Sequence, residues 1–383
     1  AGATNWSFMR AGEVYPGYPK YRELQYGHAD GNQWVAAECD VSIRPGWFYH
    51  PEEDNRVKTV EQLTDLYYRS VGHNATLLLN FPVDRNGLIH PVDSANAVDF
   101  HKNIQKQLAH NLLSGVVAEV SDERGGKYTA KAMTDNDYDT YWATNDGVVS
   151  ATVEFDLPQQ EKVNRMMLQE YIPLGQRVKS FVVEYNKDGQ WLPVKLNEET
   201  TTVGYKRLLR FETVTTDKLR VNFTDARACL CINNVEAYYA GETADVSFDN
   251  TVADIKSYPF TLVGADEAEA KKCADKDDTT TCFVDGNTVV VDLGEEQTVA
   301  SFHYLPDQSE YNKGLISGYE ISVGTDANAI NNVVTKGEFS NIKHNPILQS
   351  VYFTPVKARY VMLKAVKMVN EGETMGFAEI GIR

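Results

Sequence analysis

The order of apolar and polar residues changes character partway along the chain. Residues 33–43 (QWVAAECDVSI) read as a buried strand. Thr59 and Gln62 have the spacing of a helix-capping box, and Leu63, Leu66, Tyr67 and Ser70 follow a helical period, which predicts a helix over 59–72. The continuous apolar run 75–80 (ATLLLN) predicts a parallel strand buried on both faces. A second helix is expected from Asp93 or Ser94, with Phe100, Ile104 and Leu108 as its apolar stripe. Strand, helix, strand, helix is the α/β pattern, and a parallel barrel is one way to close it.

After about residue 114 the period shortens to two. Segments such as 151–157 (ATVEFDL), 180–185 (SFVVEY) and 218–223 (KLRVNF) alternate and are separated by turn residues, the signature of an all-β sandwich. The stretch 241–260 reads as a linker with room for one strand. Residues 261–383 then repeat the middle region: 131–142 (KAMTDNDYDTYW) matches 271–282 (KKCADKDDTTTC), and 153–163 matches 289–299. Further on, 180–185 matches 318–323, 218–223 matches 359–364, and 233–239 matches 376–382. Several matches in one order predict tandem modules. The expected fold is multidomain: a partial α/β, TIM-like barrel over 1–113, β-sandwiches over 114–240 and 261–383, and a linker over 241–260.

Both repeats resemble the discoidin-like family, also called coagulation-factor type C, a group of jelly-roll sandwiches. The resemblance rests on an acidic loop followed by Thr and an aromatic, then a strand ending in Asp-Leu. The first copy has Asp135, Asp137, Asp139, Thr140 and Trp142; the second has Asp275, Asp277 and Thr280, but Cys282 where the first has Trp.

Charge narrows the partners. There are 37 Lys plus Arg against 54 Asp plus Glu, a formal net charge of -17. Such acidity disfavours nucleic acid and anionic membrane surfaces, and a neutral ligand such as a sugar fits better. No apolar run reaches the roughly 20 residues of a membrane span. The chain opens AGATNWSFMRAG, without an initiator Met, a basic segment or an apolar leader, as expected of a processed end or of a chain cut from a longer one.

Residues 34–50 hold the richest chemistry. On a strand, Glu38 and Asp40 share one face, and Val35, Ala37, Cys39 and Val41 the other. Paired carboxylates on an otherwise small and apolar strand are costly to bury unless partnered, and at the C-terminal end of a barrel strand they would face an active site. Arg44 could hold a carboxylate or a sugar hydroxyl, and Trp34, Trp47, Phe48 and Tyr49 offer flat apolar faces. A salt-bridged strand end with core aromatics explains the same residues. Asn80 could enter the same mouth or cap a turn.

Residues 34–54 (WVAAECDVSIRPGWFYHPEED) and 66–89 (LYYRSVGHNATLLLNFPVDRNGLI) resemble the later part of the catalytic domain of α-L-fucosidases of glycoside hydrolase family 29, in the branch acting on α-1,3/1,4-linked fucose. That resemblance covers roughly residues 1–113. It implies a TIM-like barrel and a retaining mechanism with two carboxyl groups about 5–5.5 Å apart. The family's nucleophile is an Asp in a Trp-Phe-Asp-Gly-like motif, and its acid/base Glu lies in a Gly-Asn-Glu segment; the chain contains neither. The resemblance therefore implies the C-terminal part of a fucosidase, inactive alone, acting on fucosylated oligosaccharides without a catalytic cofactor. Glu38 is the best carboxylate present, with Asp40, Trp34, Arg44 and Trp47 as substrate-binding candidates. An extracellular or periplasmic location is expected. The competing class is a non-enzymatic carbohydrate-binding protein.

Other signals are weaker. No His pair has HExxH spacing and no GxSxG, P-loop or dinucleotide fingerprint occurs. Asp135 and Asp137 could contribute to a structural calcium site, or cap a solvated turn. Cys273 and Cys282 could pair or remain buried thiols, and Cys229 and Cys231 place their sulfurs on one face. Asn5, Asn74 and Asn222 sit in formal glycosylation sequons.

Overall fold

The structure, a computed structural model, describes residues 2–15, 21–196, 198–241, 255–309, 312–339, 342–343 and 346–383. Within them, residues 2–15 and 22–241 form one compact unit and 255–383 another. Most of the expected linker, residues 242–254, lies outside the described residues.

The first unit begins with a short antiparallel pair, β1 (Phe8–Met9) and β2 (Gln33–Trp34). A parallel pair follows, β3 (Ala37–Ser42) and β4 (Ala75–Asn80), in register from Ala37 opposite Ala75 to Ser42 opposite Asn80. Helix α1 (Val60–Ser70) and helix α2 (Pro91–Gln107) complete the α/β part. The capping box forms as expected: Gln62 N donates to Thr59 Oγ1 (3.3 Å) and Thr59 N to Gln62 Oε1 (2.9 Å). Pro91 opens α2 at a position that needs no N–H donor.

The described α/β part holds one parallel strand pair with α1, α2 and a short helix over Tyr21–Tyr26, and by itself shows no barrel. Two expectations change here. β4 is not buried on both faces: Leu78 is 50% exposed, while Leu79 packs with Ile43, Leu63, Leu66 and Phe100. On α1 the deeply buried aromatic is Tyr68, not Tyr67. The helix is covered on two sides, so its buried stripe is wider than the one packed on the strands. Tyr68 faces the all-β part, where Arg165 Nε donates to its hydroxyl (3.2 Å) and Arg210 stacks on its ring (4.7 Å).

That all-β part shares the first unit. Its strands β5 (Ala151–Glu170), β6 (Val178–Lys187), β7 (Arg207–Ala226) and β8 (Cys231–Tyr238) run antiparallel in the order β8-β5-β7-β6, with short strands at either side. β5 and β7 are twenty residues each, and their pairing shifts register at Arg210/Val214 and Thr216/Lys218. Bulges there bend both strands, so the two halves of β5 (Val153, Phe155; Val163, Met166, Leu168) reach one core with Trp142, Phe181 and Phe223.

The second unit repeats the plan with β9 (Thr288–Leu305), β10 (Ile316–Gly324), β11 (Gln349–Met368) and β12 (Glu379–Ile382). Phe302, Tyr304 and Phe377 fill its core, and Cys282 occupies the place of Trp142 with no accessible surface. Among the described residues no disulfide forms, and Cys273 and Cys282 are buried thiols. Among the described residues no helix is long and apolar enough to cross a membrane.

Candidate functional site

A polar cluster forms where the parallel pair ends. Asn80 Nδ2 donates to Ser42 Oγ (3.1 Å) and to the Trp47 carbonyl (3.1 Å), and Ser42 Oγ donates to the Gly46 carbonyl (2.7 Å). Asn80 thus holds the 42–47 turn. Lys58 Nζ donates to the Ser42 carbonyl (2.7 Å), and burial pushes its pKa down to about 8. Arg44 is fully buried. Its Nε and Nη2 each lie 2.8 Å from an oxygen of Asp93, and Nη1 is 2.9 Å from Asp54 Oδ1. The Arg44 guanidinium also lies 4.6 Å from the centre of the Tyr49 ring, and the Tyr49 hydroxyl donates to Asp54 (3.3 Å).

Arg44 therefore does not meet the expectation of a sugar contact: each guanidinium nitrogen is committed to protein oxygens below the surface. It does hold carboxylates, but they belong to the protein. The sequence marks Asp93 as a helix start, and nothing local to Asp93 or Lys58 signals that they join this cluster. The approach of α2 to the 44–54 loop brings them in, and no local pattern encodes that approach.

Glu38 and Asp40 share a face as expected, and both are exposed rather than buried. That face also carries Thr76 and Leu78 and points away from the helices, because Leu79 on the opposite face joins the helix-packed core. Among the described residues no hydrogen bond or ion pair holds either carboxylate. Glu38 also lies four residues before Ser42 on β3, so it is not part of the Arg44 cluster at the strand end. Trp34 is 43% exposed and meets Phe8 edge-to-face at 5.3 Å. Trp47 is half-buried. The structure thus brings together Arg44 and the Trp47 backbone, and leaves Glu38, Asp40 and Trp34 on open surface.

The acidic loops are held by their own hydrogen bonds. Asp135 accepts from Asp137 N (2.9 Å) and from the Thr140 hydroxyl (2.9 Å), and Asp137 accepts from Asp139 N (3.0 Å). Asp275, Asp277 and Thr280 repeat the turn in the second unit. Calcium takes six to eight oxygens, and among the described residues no three His, Cys, Asp or Glu side chains group as a metal site. The Asp135 and Asp137 side chains alone do not make a calcium cage.

The F5/8 type C domain family matches residues 117–233 and 264–380, more than half of the chain. The chain belongs to the F5/8 type C domain family. Each F5/8 type C domain corresponds to one copy of the repeat. Relatives extend beyond these domains. Alpha-L-fucosidase 1 of Arabidopsis thaliana is 36% identical over 221 residues, 55% of this chain and 42% of that protein. A solved glycoside hydrolase 29 family member from an unknown rumen bacterium is 31% identical and covers 100% of this chain and 60% of its own, with a TM-score of 0.54. A Ruminococcus gnavus GH29 fucosidase, solved in complex with fucose, is 33% identical over 63% of this chain and 49% of its own, with a TM-score of 0.56. The chain is a homologue of family 29 α-L-fucosidases. It spans less than half the length of the curated plant relatives it matches.

Proposed function

We propose that this chain is the C-terminal part of a retaining α-L-fucosidase that removes terminal α-1,3/1,4-linked L-fucose from glycans outside the cytoplasm. The observation that carries the reading is the homology to family 29 enzymes over a stretch longer than either F5/8 type C domain. The strand pair supports it. With helices on one face, the face bearing Glu38 and Asp40 is the one that would line the interior of a TIM-like barrel completed by further β/α units.

In this reading the nucleophile and the general acid/base come from residues outside this chain. Glu38 and Asp40 orient the sugar or its leaving group, and Trp34 and Trp47 offer stacking surfaces. The buried Arg44–Asp93 pair fixes the loop that carries Trp47 rather than touching the sugar. The F5/8 type C domains pack on the barrel or bind glycan, and the reaction uses no cofactor.

The test is hydrolysis of an aryl α-L-fucoside and of α-1,3- and α-1,4-fucosylated trisaccharides, with proton NMR of the first-formed fucose anomer. The product of the complete reading frame is expected to release α-L-fucose, and the 383-residue chain alone none. Glycan binding without hydrolysis by the complete product would favour the carbohydrate-binding alternative. Ordinary glycosidase turnover by this chain alone would promote Glu38 or Asp40 to nucleophile.

A further inference from the structure

Cys229 and Cys231 flank Leu230, which is fully buried in the core of the first F5/8 type C domain. One guanidinium nitrogen serves both sulfurs: Arg177 Nη1 is 3.0 Å from Cys229 Sγ and 3.2 Å from Cys231 Sγ, and also donates to the Cys229 carbonyl at 2.7 Å. Arg177 is itself tied down, with Nε and Nη2 donating to the Leu174 carbonyl at 3.3 and 3.2 Å. A second guanidinium approaches from the other side, Arg124 Nη2 lying 3.5 Å from Cys229 Sγ. The two sulfurs are therefore neighbours held by a fixed cation.

Their surroundings differ. Cys229 is half-buried and reachable by a small solute, whereas Cys231 is 3% exposed. A partly exposed sulfur beside two guanidiniums is in the kind of electropositive, accessible surroundings where reactive cysteines sit. Burial, the largest influence on Cys231, pushes its pKa up to about 11, so it stays a protonated thiol at neutral pH. Both sulfurs lie within 3.2 Å of one nitrogen, and even a fully extended i to i+2 Cα separation of roughly 6.6–7.2 Å meets the upper end of the about 4.4–6.8 Å that a disulfide spans.

We propose that Cys229 and Cys231 form a hydroperoxide-reactive dithiol site that closes reversibly to a disulfide. The Cys229 thiolate attacks one peroxide oxygen. An S–O bond forms, the O–O bond breaks, and hydroxide leaves and takes up a proton to become water. Cys231 sulfur then attacks the resulting sulfenic acid. The S–S bond forms, the S–OH bond breaks, and the hydroxyl departs with the Cys231 proton as a second water. Two thiols are oxidised by two electrons and one hydrogen peroxide is reduced to two waters. Cys273 and Cys282 are fully buried in the second domain and are closed to the same oxidant.

The test treats the reduced 383-residue chain with hydrogen peroxide, blocks remaining thiols with an alkylating reagent and digests with trypsin. Cleavage after Arg227 and Lys256 leaves both cysteines in one peptide. That peptide is expected to resist alkylation and to be lighter by two hydrogens, reversibly with dithiothreitol, while the Cys39, Cys273 and Cys282 peptides are alkylated in full. Cys231→Ser should stop at a Cys229 sulfenic acid that a cyclic 1,3-dione captures. Arg177→Met should slow Cys229 oxidation severalfold, because it removes the cation held 3.0 Å from the attacking sulfur. Because Arg177 also anchors the turn before β6, Arg124→Met serves as the second variant, with a smaller slowing expected. Full alkylation of the 228–256 peptide under peroxide that oxidises free glutathione would overturn the proposal. So would faster oxidation of Cys39, or unchanged rates in both arginine variants with intact melting curves.

Discussion

Arg44 and Asp93 form a two-point ion pair with no exposed surface on either side chain, Nε to Oδ2 and Nη2 to Oδ1 both at 2.8 Å. The pair ties the loop after β3 to the first turn of α2. Asp93 holds the Arg44 pKa above its ordinary value, so the guanidinium stays charged despite burial.

Removing one partner strands the other charge. Asp93→Ala is expected to destabilise the first unit by about 3–5 kcal/mol. Asp54→Ala, at a carboxylate about one-third exposed, should change stability by about 1 kcal/mol or less. Urea unfolding of the two variants checks the contrast, and equal losses would mean that Asp54 is the true anchor.

Gly204 is where the all-β part closes on the α/β part. Its φ is +68°, and an added Cβ would lie 2.3 Å from the Asn74 side chain. That side chain cannot swing away freely: Oδ1 accepts from Tyr205 N (2.7 Å), and Nδ2 donates to Asn5 O (3.2 Å) and Ser7 Oγ (3.1 Å). Gly204→Ala should cost about 1–3 kcal/mol from backbone strain alone, and more from the clash. Thermal melting measures it. The same burial predicts that the Asn74 sequon is not glycosylated in the folded protein, which peptide mass mapping after expression in a glycosylating host would check.

Stability of the first unit should depend on pH through Glu170. Burial pushes its carboxyl up to about 7, outweighing the backbone N–H groups of Val178, Gly204 and Arg177 that it accepts from. A carboxyl with a folded pKa above its unfolded value binds more protons when folded. Its contribution is fully present below the unfolded pKa of about 4.5 and is lost as pH rises through about 7, on the order of 3 kcal/mol in all. Urea midpoints taken at about pH 5 and pH 8 should fall with rising pH. Glu170→Gln should flatten that slope.

Glu38 separates function from stability. Its carboxylate is exposed and unpaired among the described residues, so Glu38→Gln should alter stability by less than about 0.5 kcal/mol. In the complete protein the same change should lower kcat/KM on α-1,3/1,4-fucosides. Wild-type kinetics would remove Glu38 from the site.

Local pattern determined much of this protein. The capping box at Thr59 and Gln62, the strands at 37–42 and 75–80 and the duplicated β module are properties of short segments, set by side-chain period and turn chemistry. The shared face of Glu38 and Asp40 follows from the strand period in the same way. The family resemblance rested on strings of residues that survive without knowledge of the fold. Tertiary structure decided the rest. Arg44 is near Asp93 only because α2 returns across the loop after β3, forty-nine residues later in the chain. Tyr68 displaces Tyr67 as the buried aromatic because a second packing partner, the sheet carrying Arg165 and Arg210, covers another side of α1. Leu78 stays exposed because β4 receives helices on one face only. A sequence period reports which residues share a face; what covers that face depends on desolvation and packing between segments that sequence order does not bring together.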